Sequence, residues 1–300
     1  MTGLAAAQLD LFLDSQAVVA ANEIAAALLA RDTARASAGL DNARRQGLEH
    51  PGLAGLADLT RALTEWHTPA RDAPAIAHAV TWLNSEMVPA AASALGSQGS
   101  KLVAHFFAEL AQLAHGLAYD HIYPHAHSAA LCLRAGDCAA AEQAAMTIPQ
   151  WKELPDALYW VTIARFRLHG LDAGRDTFFA FAWRDPQRVP QLLEQLEDEV
   201  LERDWRAFEA ASDWESIPEP LLPAWFPAWY VMEHPAVAAS LDQALLPDTP
   251  PAEAVRLLMQ LIELEKQGNS RRLVASRARL RSLNVEFFEL YMARRKVRYG

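Results

Sequence analysis

Residues 124–149 read Pro-His-Ala-His-Ser-Ala-Ala-Leu-Cys-Leu-Arg-Ala-Gly-Asp-Cys-Ala-Ala-Ala-Glu-Gln-Ala-Ala-Met-Thr-Ile-Pro, and their spacing predicts two short helices joined by a tight turn. Ala126, Ala129, Ala130 and Leu133 recur on one helix face, and Ala141, Ala144, Ala145 and Ile148 repeat the pattern after the break. Pro124 suits a first helical turn, where its missing N–H is no loss, and Gly136 suits a left-handed helix end. Asp137 is placed to cap the second helix, and Pro149 stands where that helix must stop. Alanines on both inner faces let two helices approach closely.

Outward from this hairpin, helix signals dominate. Ala, Leu, Glu and Arg are abundant, and alternation of β-branched with polar residues is hard to find. A helix is expected from Ser15 to about Arg31, with Asp32 or Thr33 starting the next and Pro51 a third. Pro74 opens another helix, which Pro89 kinks or divides. Gly96 to Ser100 reads as a loop, followed by an apolar helix from Lys101 to His115. Further on, Pro155 leads a helix to His169 and Gly170 breaks it. Leu192 to Glu202 reads as an acidic helix with a turn at Arg203, Asp204 and Trp205. Thr249 starts a long helix ending at Gly268, Asn269 or Ser270 starts the next, and Asn284 caps the last.

The breaks recur at similar intervals. Gly136 and Gly170 are 34 residues apart, Asp137 and Asp204 are 67 apart, and Asp204 and Asn269 are 65 apart. A period of about 34 residues, two helices per unit, is the footprint of a helical solenoid. The expected architecture is all-α, a superhelical array of antiparallel helix pairs. It is read as one helical-repeat domain over residues 1–300, with a possible seam in the Pro-rich stretch 216–227.

Two units carry a resemblance. Asp32, Ala36, Leu40 and Ala43 in one, and Gly136, Asp137, Ala141 and Ala145 in the other, resemble the tetratricopeptide-repeat (TPR) superfamily. The early Trp, Leu, Gly and Tyr pattern of that family is missing from both. The resemblance implies a right-handed superhelix with a concave face that binds peptide or protein, and it implies no chemistry.

Composition narrows the function classes. A formal net charge of −10 disfavours a surface built throughout for nucleic acid. Two cysteines, Cys132 and Cys138, supply neither a disulfide framework nor a zinc spacing, which fits a reducing compartment and makes the cytoplasm the expected location. No apolar run reaches the roughly 20 residues needed to span a bilayer, so no membrane partner is expected. Arginine far outnumbers lysine, as in proteins from GC-rich bacterial genomes.

The cluster with catalytic residue types is His115, Asp120, His121, His125 and His127, with His105 one helix earlier. Imidazole and carboxylate are ligand types for zinc and other divalent transition metals. Pro124, however, separates His121 from His125, so the two cannot share a regular helix face. The competing reading is a polar loop in which His125 and His127 face solvent or cap a helix, with no cofactor and no metal. Gly96 to Lys101 lacks the spacing and the preceding strand of a phosphate loop, and no Gly-x-Ser-x-Gly occurs. Trp225 and Trp229 lie one turn apart, which favours core packing over a binding hot spot.

Charge is segregated. Between Lys266 and Arg298 ten basic residues meet two acids, a net +8, and between Glu194 and Glu219 ten acids meet two arginines, a net −8. Either the last helices fold back against this acidic region and the charges partly neutralise each other, or they form a basic docking end. On the second reading Arg271, Arg272, Arg279, Arg294, Arg295 and Lys296 contact the partner, which is a protein or peptide of acidic character or a second copy. The expected function is a non-enzymatic adaptor or scaffold. A metal-dependent enzyme using the His115–His127 region and a peptide-sensing regulator are the alternatives.

Overall fold

Asp32, Asp72 and Asp198 each accept a hydrogen bond on the side chain from a backbone N–H two or three residues ahead, and Asn284 does the same for Phe287. Each therefore starts a helix by satisfying donors that the helix leaves unpaired. The structure, a computed structural model, describes residues 3–211, 213–267 and 270–299, with side chains for 16–211, 213–266 and 271–295. Among the described residues every regular element is helical and no strand occurs. Contacts divide the chain into two compact units, Met1–Asp137 and Cys138–Gly300.

The first unit contains α1 (Gly3–Leu29), α2 (Thr33–Arg45), α3 (Gly52–Glu65), α4 (Ala73–Trp82), α5 (Val88–Leu95), α6 (Ser97–Ala114) and α7 (Ser128–Ala135). Packing is mostly between neighbours in sequence: α1 on α2, α2 on α3, α5 on α6 and α6 on α7, with α3 also lying on α5. Ile24, Leu28, Leu59, Ile76, Leu83, Met87, Phe106 and Phe107 form its dry interior. Pro89 does divide a helix: a wide π-turn at Leu83–Met87 precedes α5. The wider turn accommodates a residue with no N–H to donate.

The loop expected at Gly96–Ser100 shrinks to one residue. Gly96 adopts φ +54°, open to glycine, and α6 begins at Ser97. At the opening hairpin, Pro124–Ala126 forms a 3₁₀ turn rather than the start of a helix, and His127 caps α7. Gly136 ends α7 in the left-handed region, φ +84°, as the spacing predicts.

The second unit contains α8 (Cys138–Met146), α9 (Pro155–His169), α10 (Leu171–Arg184), α11 (Val189–Leu196), α12 (Glu199–Glu209), α13 (Phe226–Glu233), α14 (Pro250–Gln267), α15 (Ser270–Leu283) and α16 (Val285–Tyr299). Neighbours again pack on one another: α8 on α9, α9 on α10, α13 on α14, α14 on α15 and α15 on α16. The single acidic helix expected at Leu192–Glu202 is two helices. Glu197 takes φ +50° and ends α11, and Asp198 caps α12. The turn expected at Arg203–Trp205 is therefore helix interior, and Asp204 is not a boundary between repeat units. The expected boundary at Gly268 and Asn269 lies outside the described residues.

Aromatic rings fill the core of this unit. Phe226 lies 5.2 Å from Trp205, 5.5 Å from Phe208 and 5.9 Å from Trp229, centroid to centroid, and also meets Phe178, Phe179 and Tyr230. Such tilted and edge contacts add to the burial of large rings. Trp225 and Trp229 are both buried, and the Pro-rich stretch 216–227 runs through a 3₁₀ segment, Glu219–Trp225, directly into α13.

Candidate functional site

The basic end is built by α13, α14, α15 and α16, and helix spacing decides where its arginines point. On α15, Leu280 is fully buried, which turns Arg277 toward α14 and α16 and leaves Arg271, Arg272 and Arg281 exposed. Arg279 forks onto both oxygens of Glu253 at 2.7 and 2.9 Å, and these hydrogen bonds hold the Glu253 carboxyl below the usual carboxylate range. Arg294 pairs with Glu233 at 2.7 Å, and Arg295 pairs with Glu265 at 2.8 Å. The side chain of Lys296 lies outside the described residues.

Glu265 is the hub that sequence reading missed. One of its oxygens, Oε1, accepts from Arg277 at 2.9 Å and from the Tyr291 hydroxyl at 2.6 Å, besides its pairing with Arg295. Burial, reinforced by the bond to Glu265, pushes the Tyr291 phenol up to about 12. Neutralisation within the fold is thus extensive. It comes from Glu233, Glu253, Glu263 and Glu265 on α13 and α14, none of which lies in the acidic stretch 194–219 that the sequence offered as the partner.

The histidines of residues 105–127 take separate places. His127 is buried, and its Nδ1 accepts from the Ala129 N–H at 3.2 Å, which caps α7. Burial lowers its pKa to about 4. The His115 carbonyl accepts from Arg71 at 2.7 Å, and Arg71 also bonds the Leu113 carbonyl, so that guanidinium closes the end of α6. Asp120 turns the backbone by accepting from the Ile122 N–H, and His121 and His125 are exposed. His105 faces Glu109 at 3.4 Å, a carboxylate that also holds Arg31. Among the described residues no three His, Cys, Asp or Glu side chains come together in a way that would hold a metal ion.

A polar pair, a buried Asp204 and a partly exposed His234, lies between α12 and the end of α13. Asp204 Oδ2 accepts from His234 Nε2 at 3.0 Å, and the Tyr230 ring lies 4.3 Å from the imidazole. A carboxylate that orients an imidazole is two-thirds of a nucleophilic triad. Here the pair fastens α12 to α13.

In the first unit, α2 and α3 bound an open groove. A hollow of about 690 Å³ is lined by Leu40, Ala43, Arg44, Leu48, Leu53 and Ala57, among others. A second hollow of about 410 Å³ shares Leu40, Arg44 and Ala57 with it and extends to Thr60 and Thr64. The two threonine hydroxyls donate to the carbonyls of Leu56 and Thr60 within α3. Rim charges pair with one another: Arg44 with Asp41, and Arg61 with Glu65 and Glu86. No signature in the sequence marks this groove, because it is a shape between two helices.

Comparison with protein-family models, curated proteins and solved structures finds no match to the chain. No helix among the described residues is long and apolar enough to cross a membrane.

Proposed function

We propose that the chain is a non-enzymatic scaffold of TPR-like type, a superhelical array of antiparallel helix pairs that binds another protein or a peptide. The observation that carries this reading is the α2–α3 groove. It is open, and its lining sets the apolar Leu40, Leu48, Leu53 and Ala57 beside the polar Arg44, Glu49 and His50, with Arg44 and Arg61 already paired to Asp41 and Glu65. Such a surface recognises an amphipathic segment by shape and apolar burial, as helix-in-groove binders do. Helices packed chiefly on their sequence neighbours support the stacked arrangement.

The test is affinity capture from the native host with the full chain and with Ala57→Trp, which fills the groove. The expected result is a partner retained by the wild-type chain and lost by the variant, with equal melting temperatures. A partner held equally well by both removes the groove from the proposal. Turnover of a small substrate with no stable protein partner overturns the scaffold reading itself.

A further inference from the structure

We infer that the outward face of α15 is a docking strip for an acidic amphipathic helix of another protein. The inference rests on the scaffold reading above and supplies a second surface together with the chemistry of its partner.

α15 carries five arginines and no acid. Two of them, Arg277 and Arg279, are neutralised by Glu265 and Glu253 of α14. On the opposite side Arg271, Val274, Ala278 and Arg281 follow one another at spacings of three and four, and so share a face, with Ala275 four residues after Arg271 beside them. All five are exposed, Val274 to 64%. Arg271 and Arg281 form no ion pair among the described residues.

This arrangement differs from a merely solvated face. A β-branched apolar side chain stands between two cations, and alanines beside it let a partner backbone come close. Arg271 and Arg281 are ten residues apart, about 15 Å along the helix axis. A partner helix that presents carboxylates ten or eleven residues apart, with apolar residues between them, matches both features. Guanidinium forks take carboxylates bidentately, which adds register to the attraction. A second copy of this chain fits poorly. The exposed side of its acidic helix α12 interposes Arg203 and Arg206, and Arg206 already pairs with Glu202 at 2.8 Å. Nucleic acid offers no apolar stripe to cover Val274, and the net charge of −10 opposes it.

The experiment is selection of a displayed library of random 16-residue peptides on the immobilised full chain. Enriched peptides are expected to carry Asp or Glu ten or eleven positions apart, flanking apolar residues at helical spacing. Their binding should fall at least tenfold with Val274→Lys, and likewise with Arg271→Glu combined with Arg281→Glu. Replacing the peptide acids with Lys should restore binding to the charge-reversed protein. Circular dichroism melts of these surface variants should overlay the wild type.

Enriched peptides without acids, or binding indifferent to the α15 variants, overturn the assignment. So does equal binding of a scrambled peptide or of a twenty-residue oligothymidine, which would make the strip a general polyanion surface. Peptides that ignore the α15 variants yet are lost with Ala57→Trp leave the scaffold reading standing while the α15 assignment falls. Peptides that ignore both sets of variants count against both.

Discussion

The Tyr291 hydroxyl donates to Glu265 Oε1 at 2.6 Å, and the same oxygen receives Arg277. With Arg295 beside it, one largely buried carboxylate ties α14 to α15 and α16. Removing it leaves a guanidinium and a phenol partly buried without their acceptor, the kind of change that costs far more than a surface pair. Glu265→Ala is expected to destabilise by about 2–4 kcal/mol, and Glu265→Gln, which keeps an acceptor oxygen, by less. Urea unfolding checks both. The Tyr291 phenol, held near 12, should titrate closer to its ordinary value in Glu265→Ala. An unchanged phenol titration would mean that burial alone sets it.

His127 makes stability depend on pH. Its Nδ1 must be unprotonated to accept from the Ala129 N–H, and burial lowers its pKa from 6.5 to about 4. Between those values the unfolded chain binds a proton that the folded chain refuses. Stability therefore rises with pH across this window. The contribution is fully present above about 6.5 and is lost as pH falls toward 4, an effect on the order of 2–3 kcal/mol. His127→Asn keeps a capping oxygen and removes the titration. Its urea-unfolding free energy should fall less than that of the wild type between pH 7.5 and pH 4.5 by about that amount. Parallel losses in the two proteins would count against the assignment.

Local chemistry was legible in the sequence where one residue decides one helix end. Asp32, Gly136, Gly170 and Asn284 all stand at the ends expected of them. Glu197 was not legible, because a non-glycine residue at φ +50° is imposed by its surroundings. Asp204 was misread as a turn residue. Its partner, His234, is thirty residues away, and burial of Asp204 itself departs from the exposed acid that a turn would carry.

The basic end shows the same limit from another side. Counted from Lys266, the final segment carries a net +8 with only two acids of its own. Glu265, one residue earlier, and Glu253 on the same helix are the acids that meet its arginines. A charge count along the chain divides what a helical hairpin brings together. Complementary acids on α14 and bases on α15 were the available signal.

Gly99 should not tolerate a side chain. A methyl group added there meets the Ala91 carbonyl, with the carbonyl carbon 2.6 Å away, where α5 and α6 cross. Alanine would gain up to about 1 kcal/mol in helix propensity. The obstacle is backbone rather than a movable side chain, so overpacking of about 1–3 kcal/mol should win. Gly99→Ala is expected to lower the midpoint of urea unfolding. A raised midpoint would show that α5 shifts away at little expense.

The last comparison sets a buried ring of the basic end against its exposed cations. Phe287 is fully buried on α16, its N–H capped by Asn284 at 2.7 Å and its ring 5.4 Å from that of Trp225. Phe287→Ala should therefore destabilise by about 3–5 kcal/mol, the loss of a large side chain plus the cavity it leaves. Arg271, Arg272 and Arg279 are exposed, and ion pairs at such positions are screened by solvent and salt. Changing all three to Gln should leave the melting temperature nearly unchanged, even though Arg279 gives up its fork with Glu253. The same triple variant should bind a captured acidic partner more weakly and with a flatter dependence on salt, because steering by exposed charge fades as ionic strength rises. Unfolding of the triple variant would show that these arginines belong to the fold, and the basic end would then cease to be a docking surface.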